Sequence, residues 1–275
     1  MIPNTLTIAG VDPSGGAGIL ADIKTMSALG AYGTAVVAAL TAQNTQAVTG
    51  IAPVPPAFVA AQIDTLFADV RIDAVKIGML GQKAVTRVVA ERLAHWKPAH
   101  VVLDPVMVAK SGDHLLERSA VDELRESLVP LATLLTPNLP EAGVLLGMGP
   151  ADTLKEMRRV AEKLRRLLSD DGERWVFLKG GHLPGSDTID VLHDGDRLIE
   201  LPGRRIETRN THGTGCTLSA ALAALLPQVG DVPEAARRAK AYLVTAIARS
   251  SELDVGKGHG PVHHFHAWWK PSGGQ

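Results

Sequence analysis

The sequence predicts an α/β fold, a mainly parallel sheet packed between helices, with antiparallel strands toward the C-terminal part. Three observations carry this. Short β-rich runs alternate with longer segments of helical period, the pattern of βαβ units. Runs such as Ala74–Ile77 and Val101–Leu103 read as core strands of a parallel sheet. Late in the chain the pattern changes, and two strand-like runs flank Asp194-Gly195-Asp196, a hairpin signal.

Taken in order, Thr5–Val11 is the first strand. Asp12-Pro13-Ser14-Gly15-Gly16 then turns the chain into a helix over Ala17–Leu29. Thr34–Leu40 is a buried strand. Pro56 suits the first turn of a helix reaching about Ala68, where a missing N–H costs nothing. A helix near Ala84–His95 separates the strands Ala74–Ile77 and Val101–Leu103. Helices follow at Ser119–Val129, Leu139–Leu146 and Thr153–Leu168, then a strand at Val176–Lys179. Thr188–His193 and Arg197–Leu201 form the hairpin, and helical period resumes over Gly215–Leu226 and Glu234–Ser251. Parallel sheets bind ligands beyond the carboxyl ends of their strands. Chemistry is therefore expected just after Val11, Leu40, Ile77, Leu103, Leu135 and Lys179.

Composition sets the class. The 275 residues are 45% apolar, enough for a substantial core, and are read as one domain over 1–275. A net charge of −1 creates no field for nucleic acid or anionic membrane. The single cysteine excludes an intramolecular disulfide framework and suits a reducing cytosol. Met1–Thr5 lacks the regions of a signal peptide, and the apolar stretch Ala35–Ala42 is too short to span a bilayer. A cytoplasmic protein without nucleic-acid or membrane partners is expected.

Two glycine-rich loops compete for a phosphate. Gly16-Ala17-Gly18-Ile19-Leu20-Ala21 has dinucleotide-site spacing, but no Asp or Glu falls between Asp22 and Asp64 to hold a ribose. No Walker A sequence occurs. The second loop, Thr211-His212-Gly213-Thr214-Gly215-Cys216, leads straight into a strong helix. Its glycines let successive N–H groups converge, and the helix N-terminus adds partial positive charge. Alone, this loop fits equally an anion cradle or a helix capped by Thr211 or Thr214.

Seven segments shift that balance: Thr7–Gly18, Ala42–Thr45, Lys76–Leu80, Val102–Met107, Thr136–Ala142, Lys179–His182 and Asn210–Cys216. In this order they resemble the hydroxymethylpyrimidine/phosphomethylpyrimidine kinases of thiamine biosynthesis. These belong to the ribokinase-like superfamily. The resemblance runs from about Thr5 to Trp269. It implies a three-layer α/β/α sandwich and, by analogy with relatives, a homodimer. It also implies ATP and Mg²⁺ as cofactors. The activity it implies is phosphorylation of 4-amino-5-hydroxymethyl-2-methylpyrimidine and then of its monophosphate. Pyridoxal kinase activity on the same fold is the nearest alternative. A non-catalytic pyrimidine-binding protein is another, although it would not need the nucleotide set. A dinucleotide oxidoreductase lacks the ribose acid.

The resemblance also implies roles. Gly213, Gly215 and Cys216 would offer backbone N–H groups to the moving phosphoryl. Where most of the superfamily has an aspartate base, this chain has Cys216. Cys216 is then either the base, or the substrate loses its proton late to phosphate. Gln43 would pair with the pyrimidine through its amide, with Gly10 and Asp22 as further partners and Met79 and Val106 as apolar walls. Asn138, Lys179 and Thr211 would meet the nucleotide, with Lys110 and Ser111 in a loop over the phosphates. Glu141 and Asp104 would serve the metal. The histidine-rich tail, residues 256–266, is read as structural or nucleotide-side rather than as a metal site.

Overall fold

The computed structural model describes residues 1–107 and 118–269. Its strands are β1 (Asn4–Val11), β2 (Tyr32–Gln43), β3 (Val48–Pro53), β4 (Ala74–Ile77), β5 (Val101–Leu103), β6 (Leu134–Leu135), β7 (Trp175–Leu178), β8 (Asp190–His193) and β9 (Leu198–Leu201). The helices are α1 (Gly18–Ala28), α2 (Pro56–Phe67), α3 (Lys83–Trp96), α4 (Arg118–Glu123), α5 (Leu139–Leu146), α6 (Leu154–Arg165), α7 (Thr214–Val229) and α8 (Val232–Ala248).

The strands form one sheet in the order β3-β2-β1-β4-β5-β6-β7-β8-β9. The run from β2 to β7 is parallel. β8 and β9 are antiparallel, as the hairpin signal requires. An antiparallel strand also stands at the opposite edge, where β3 returns along β2. Sequence reading misses β3 because its segment contains Gly50 and Pro53 and leaves Ile51, Ala52 and Pro53 exposed, so no buried face imposes a pattern.

Alternation along the strands makes the three layers. On β7, Val176 and Leu178 enter one core with Val59, Val89 and Leu164. Trp175 and Phe177 enter the other with Met26, Leu222 and Ala236. Thus α2, α3, α5 and α6 cover one face, while α1, α7 and α8 cover the other. The predicted helix over 119–129 is present in pieces: α4, a π turn at Leu124–Leu128, and a 3₁₀ turn at Val129–Leu131. Pro130 lies in the last piece, where it can donate no helical hydrogen bond.

β1 is followed by β2 on one side, while β4 pairs on its other side. That reversal opens a crevice at the carboxyl ends of β1 and β4. The site lies there.

Candidate active site

A cavity of about 490 Å³ opens at these strand ends. It adjoins a second of about 360 Å³, and both are lined by Asn138, Lys179, Thr211, Thr214 and Gly215. The turn before α7 therefore stands between the two.

Gly213 is the N-cap of α7, at φ 77°, and no side chain caps the helix. Neither Thr211 nor Thr214 takes that role. Thr214 N reaches the Thr211 carbonyl at 3.4 Å, and the N–H groups of Gly215 and Cys216 have no intrahelical partners, so the helix end presents its partial positive charge to the cavity. A glycine is required at 213 for two reasons. The φ is left-handed, and an added Cβ would lie 1.8 Å from the Gly16 carbonyl oxygen. Gly15–Gly18 thus serves as the surface on which the turn before α7 packs, a structural use for the apparent dinucleotide motif.

A buried latch holds this packing. His212 Nε2 lies 2.7 Å from Asp12 Oδ2. Asp12 also accepts from Ser14 N at 2.9 Å, Ser14 Oγ at 2.9 Å and Ala17 N at 3.0 Å. Burial alone would raise the Asp12 pKa, but the bonds from His212 and Ser14 outweigh it and hold the carboxyl below its ordinary value. An ionised carboxylate only accepts, so Nε2 carries the proton in this contact. His212 N in turn donates to the Gly260 carbonyl at 3.1 Å. The tail runs behind the turn and meets the loop after Gln43: His259 N donates to Thr45 O at 2.9 Å. The tail also packs along α8, where His263 N donates to the Ala246 carbonyl at 2.9 Å. Among the described residues no cluster of His, Cys, Asp or Glu is arranged to hold a metal.

Charges converge beside the turn. Lys179, just past β7, donates to Asp104 Oδ1 at 2.8 Å and lies 3.8 Å from Glu141 Oε2. Burial lowers the affinity of Lys179 for its proton, but Asp104 and Glu141 more than restore it, so the ammonium stays charged. A Cβ on Gly215 would stand 3.4 Å from both Lys179 Nζ and Asp104 Oδ2, so the pair lies directly against the turn. Glu141 is held by a capping box: it donates N–H to Asn138 Oδ1 and accepts from Asn138 N, each at 2.8 Å. Burial pushes the Glu141 carboxyl up to about 7, with Lys179 pulling it down and Asp104 pushing it further up.

Gln43, Gly10, Met79 and Val106 line the larger cavity, as do Gly213, Cys216, Asp104 and Glu141. Gln43 Oε1 lies 3.1 Å from Thr41 Oγ1, whose single hydrogen also faces the Val11 carbonyl at 2.9 Å. Gly10 lets Met79 approach, since a Cβ there would meet Met79 Cε at 2.6 Å. Asp22 corrects the sequence reading. It is wholly buried behind the wall, bonded to Lys76 Nζ at 2.7 Å and Thr7 Oγ1 at 2.6 Å, and it does not line the cavity. Lys110 and Ser111 lie outside the described residues. Sequence reading does not single out Asp12, His212 or Lys76, which also line this cavity. Their signals were polar residues at strand ends or within the glycine motif and, for Lys76, a lysine in an apolar strand.

Cys216 is half-buried in the cavity wall. Burial, with Asp22 and Asp104, pushes its thiol up to about 11, against the pull of Lys76 and the Gly18 N–H. At neutral pH it is a thiol. Alkylation of Cys216 in the ligand-free protein is therefore expected to accelerate between about pH 9 and 11, well above a free cysteine. A rate profile centred near about 8.5 would contradict this environment.

A family model described as phosphomethylpyrimidine kinase matches residues 12–263. The chain is 53% identical to the hydroxymethylpyrimidine/phosphomethylpyrimidine kinase of Salmonella typhimurium, covering 97% of this chain and 98% of that one. It is similar to solved structures of pyridoxal kinase from Bacillus subtilis in complex with ADP (TM-score 0.88, 35% identity, 97% and 99% of the two chains). It is similar also to phosphomethylpyrimidine kinase from Clostridium difficile (TM-score 0.78, 38% identity, 89% and 99%).

Proposed function

The chain belongs to the phosphomethylpyrimidine kinase family, and on that premise we propose how its two cavities phosphorylate 4-amino-5-hydroxymethyl-2-methylpyrimidine and then its monophosphate, a step of thiamine biosynthesis. The observation that carries the reading is the uncapped N-terminus of α7, opening between the cavities with Lys179 against it. One cavity takes the acceptor, the other takes ATP, and the moving phosphoryl group crosses the turn.

In the larger cavity the Gln43 amide supplies both a donor and an acceptor to the ring, and Met79 and Val106 supply apolar contact. In the smaller one, Leu218, Leu243, Val244 and Ile247 make an apolar side for the nucleotide base. On the same helix face, α8 also carries Lys240, which pairs with Asp190 at 2.9 Å and donates to the carbonyls of Thr188 and Leu201. Asn138 and Thr211 lie between the cavities, where triphosphate passes. Lys179 neutralises phosphate charge, and the N–H groups of Gly213, Gly215 and Cys216 hold the transferring phosphoryl.

Mg²⁺ fits this donor set in one way. Glu141 and Asp104 make too few protein ligands for a closed cage, but Mg²⁺ keeps its waters and binds through one or two carboxylates plus substrate phosphates. There it would neutralise charge on the phosphates while the two carboxylates hold its hydration shell.

Residues 1–275 act as one kinase domain, and a cytoplasmic homodimer is the state we favour. Among the described residues no helix is long and apolar enough to cross a membrane. Mass spectrometry of products from the pyrimidine alcohol with ATP–Mg²⁺ tests the function. Mono- and diphosphate are expected, and product from pyridoxine alone would transfer the assignment to pyridoxal kinase. The base is tested by Cys216→Ser, expected to slow the first phosphorylation more than the second. The second acceptor is already an ionised phosphate, so equal losses in both steps would exclude the thiol as base.

A further inference from the structure

Lys76 is wholly buried on β4, between Val75 and Ile77, yet it lines the acceptor cavity. Its Nζ donates to Asp22 Oδ2 at 2.7 Å, and that oxygen also accepts from Thr7 Oγ1 at 2.6 Å. The other Asp22 oxygen, Oδ1, is buried without a hydrogen-bond partner among the described residues. Gly78 leaves the room that the ammonium occupies, since a Cβ there would stand 2.7 Å from Nζ. An ammonium has three donors, and the bond described for this one uses a single donor.

Burying such a pair is a poor way to stabilise a strand. The desolvation cost rivals the attraction, and an apolar pair of similar volume often serves as well. A charge held at the cavity wall with donors to spare is better explained by a ligand. The ionisable groups whose fields reach Lys76 are Asp22 on α1, Cys216 on α7 and Asp104 after β5. Burial works against its charge, and the carboxylates of Asp22 and Asp104 restore it, so the ammonium persists beside the neutral thiol. Lys76, Cys216 and Asp104 line one cavity, and on the kinase reading the acceptor oxygen lies at the turn that Cys216 ends.

We propose that Lys76, braced by Asp22, donates a hydrogen bond to the acceptor oxygen, the hydroxymethyl oxygen in the first transfer and a phosphate oxygen in the second. The bond strengthens as that oxygen attacks. In the first transfer the acceptor oxygen forms a bond to the γ-phosphorus while the bond from that phosphorus to the β,γ-bridging oxygen breaks. ADP leaves with the electron pair. The hydroxyl proton passes to a phosphoryl oxygen and then to solvent, and Lys76 keeps its own protons throughout. This explains how a site whose only thiol is protonated polarises an alcohol.

The inference rests on the kinase reading, so wild-type turnover of the pyrimidine alcohol with ATP–Mg²⁺ is measured first. Absence of product there removes the reading itself, and the role of Lys76 with it. Given wild-type product, two variants decide. Asp22→Asn/Lys76→Met removes both charges at similar volume. Gly78→Ala keeps both charges but displaces Nζ. We expect kcat to fall about 30-fold in the first and about 10-fold in the second, from loss of a preorganised donor. KM for both substrates should stay within about threefold, as for an interaction made mainly in the transition state. A structural pair would leave kcat intact in any variant that melts like wild type. Either variant, folded, with kcat within about threefold of wild type overturns the proposal, as does a loss confined to KM. If the double variant does not fold, Gly78→Ala decides alone.

Discussion

Gly213→Val is expected to lower kcat by at least about 10³-fold with ATP and the pyrimidine alcohol, a loss in line with removing oxyanion-hole donors. Two effects combine. A β-branched residue at φ 77° is strained, by about 1–2 kcal/mol from the left-handed backbone alone. Its Cβ would also stand 1.8 Å from the Gly16 carbonyl oxygen, a backbone atom that cannot swing aside. The turn must lift from the Gly15–Gly18 loop. A side chain at 213 does not enter the cavity. The geometry instead directs the side chain behind the cradle, so activity is lost because the N–H groups are re-aimed. Gly215→Ala provides the contrast. Its Cβ would face Asp104 and Lys179 at 3.4 Å, ordinary contact. It should fold normally and lose less. Steady-state kinetics with thermal unfolding checks both. A folded Gly213→Val enzyme with near-normal kcat would show that the turn does not hold the phosphoryl group.

What could be read from sequence divides along physical lines. Strands such as Val101–Leu103 and Trp175–Leu178 are legible because burial on both faces demands apolar runs. Asn138 and Glu141 are picked out by the resemblance, and the structure joins them in a capping box only four residues long. The role of Asp22 is not legible. It sits in a helix like any solvated carboxylate, and its burial is decided by Lys76, 54 residues away. His212 was hidden for the same reason, its partner Asp12 being 200 residues distant. The smaller cavity draws on α7, α8 and β8 together, and no single segment carries its pattern. Local chemistry was visible. Pairings made by topology were not.

Lys179→Met is expected to reduce kcat/KM for ATP by about 10²- to 10³-fold, because catalysis of phosphoryl transfer is mainly positioning and charge stabilisation. The ammonium bridges Asp104 and Glu141, which would otherwise face an arriving triphosphate as two carboxylates. Lys179→Arg should rescue only partly, since a planar fork does not occupy the space of a point charge. Glu141 supplies a readout independent of turnover. Its folded pKa, about 7, lies above the ordinary 4.5. The folded state therefore binds that proton more tightly than the unfolded chain. The stability this contributes is complete below the unfolded value and is lost as pH rises through about 7. Lys179 pulls the Glu141 pKa down, so its removal should move the upper end of that window to higher pH. Melting temperatures across this range, for the wild type, Lys179→Met and Glu141→Gln, measure the effect in the ligand-free protein. The Glu141→Gln profile should lose this component, and the Lys179→Met profile should extend it upward. If Lys179→Met left the pH profile in place while abolishing turnover, its field would act on the nucleotide alone, and the Lys179–Glu141 contact would have no energetic part in the resting site.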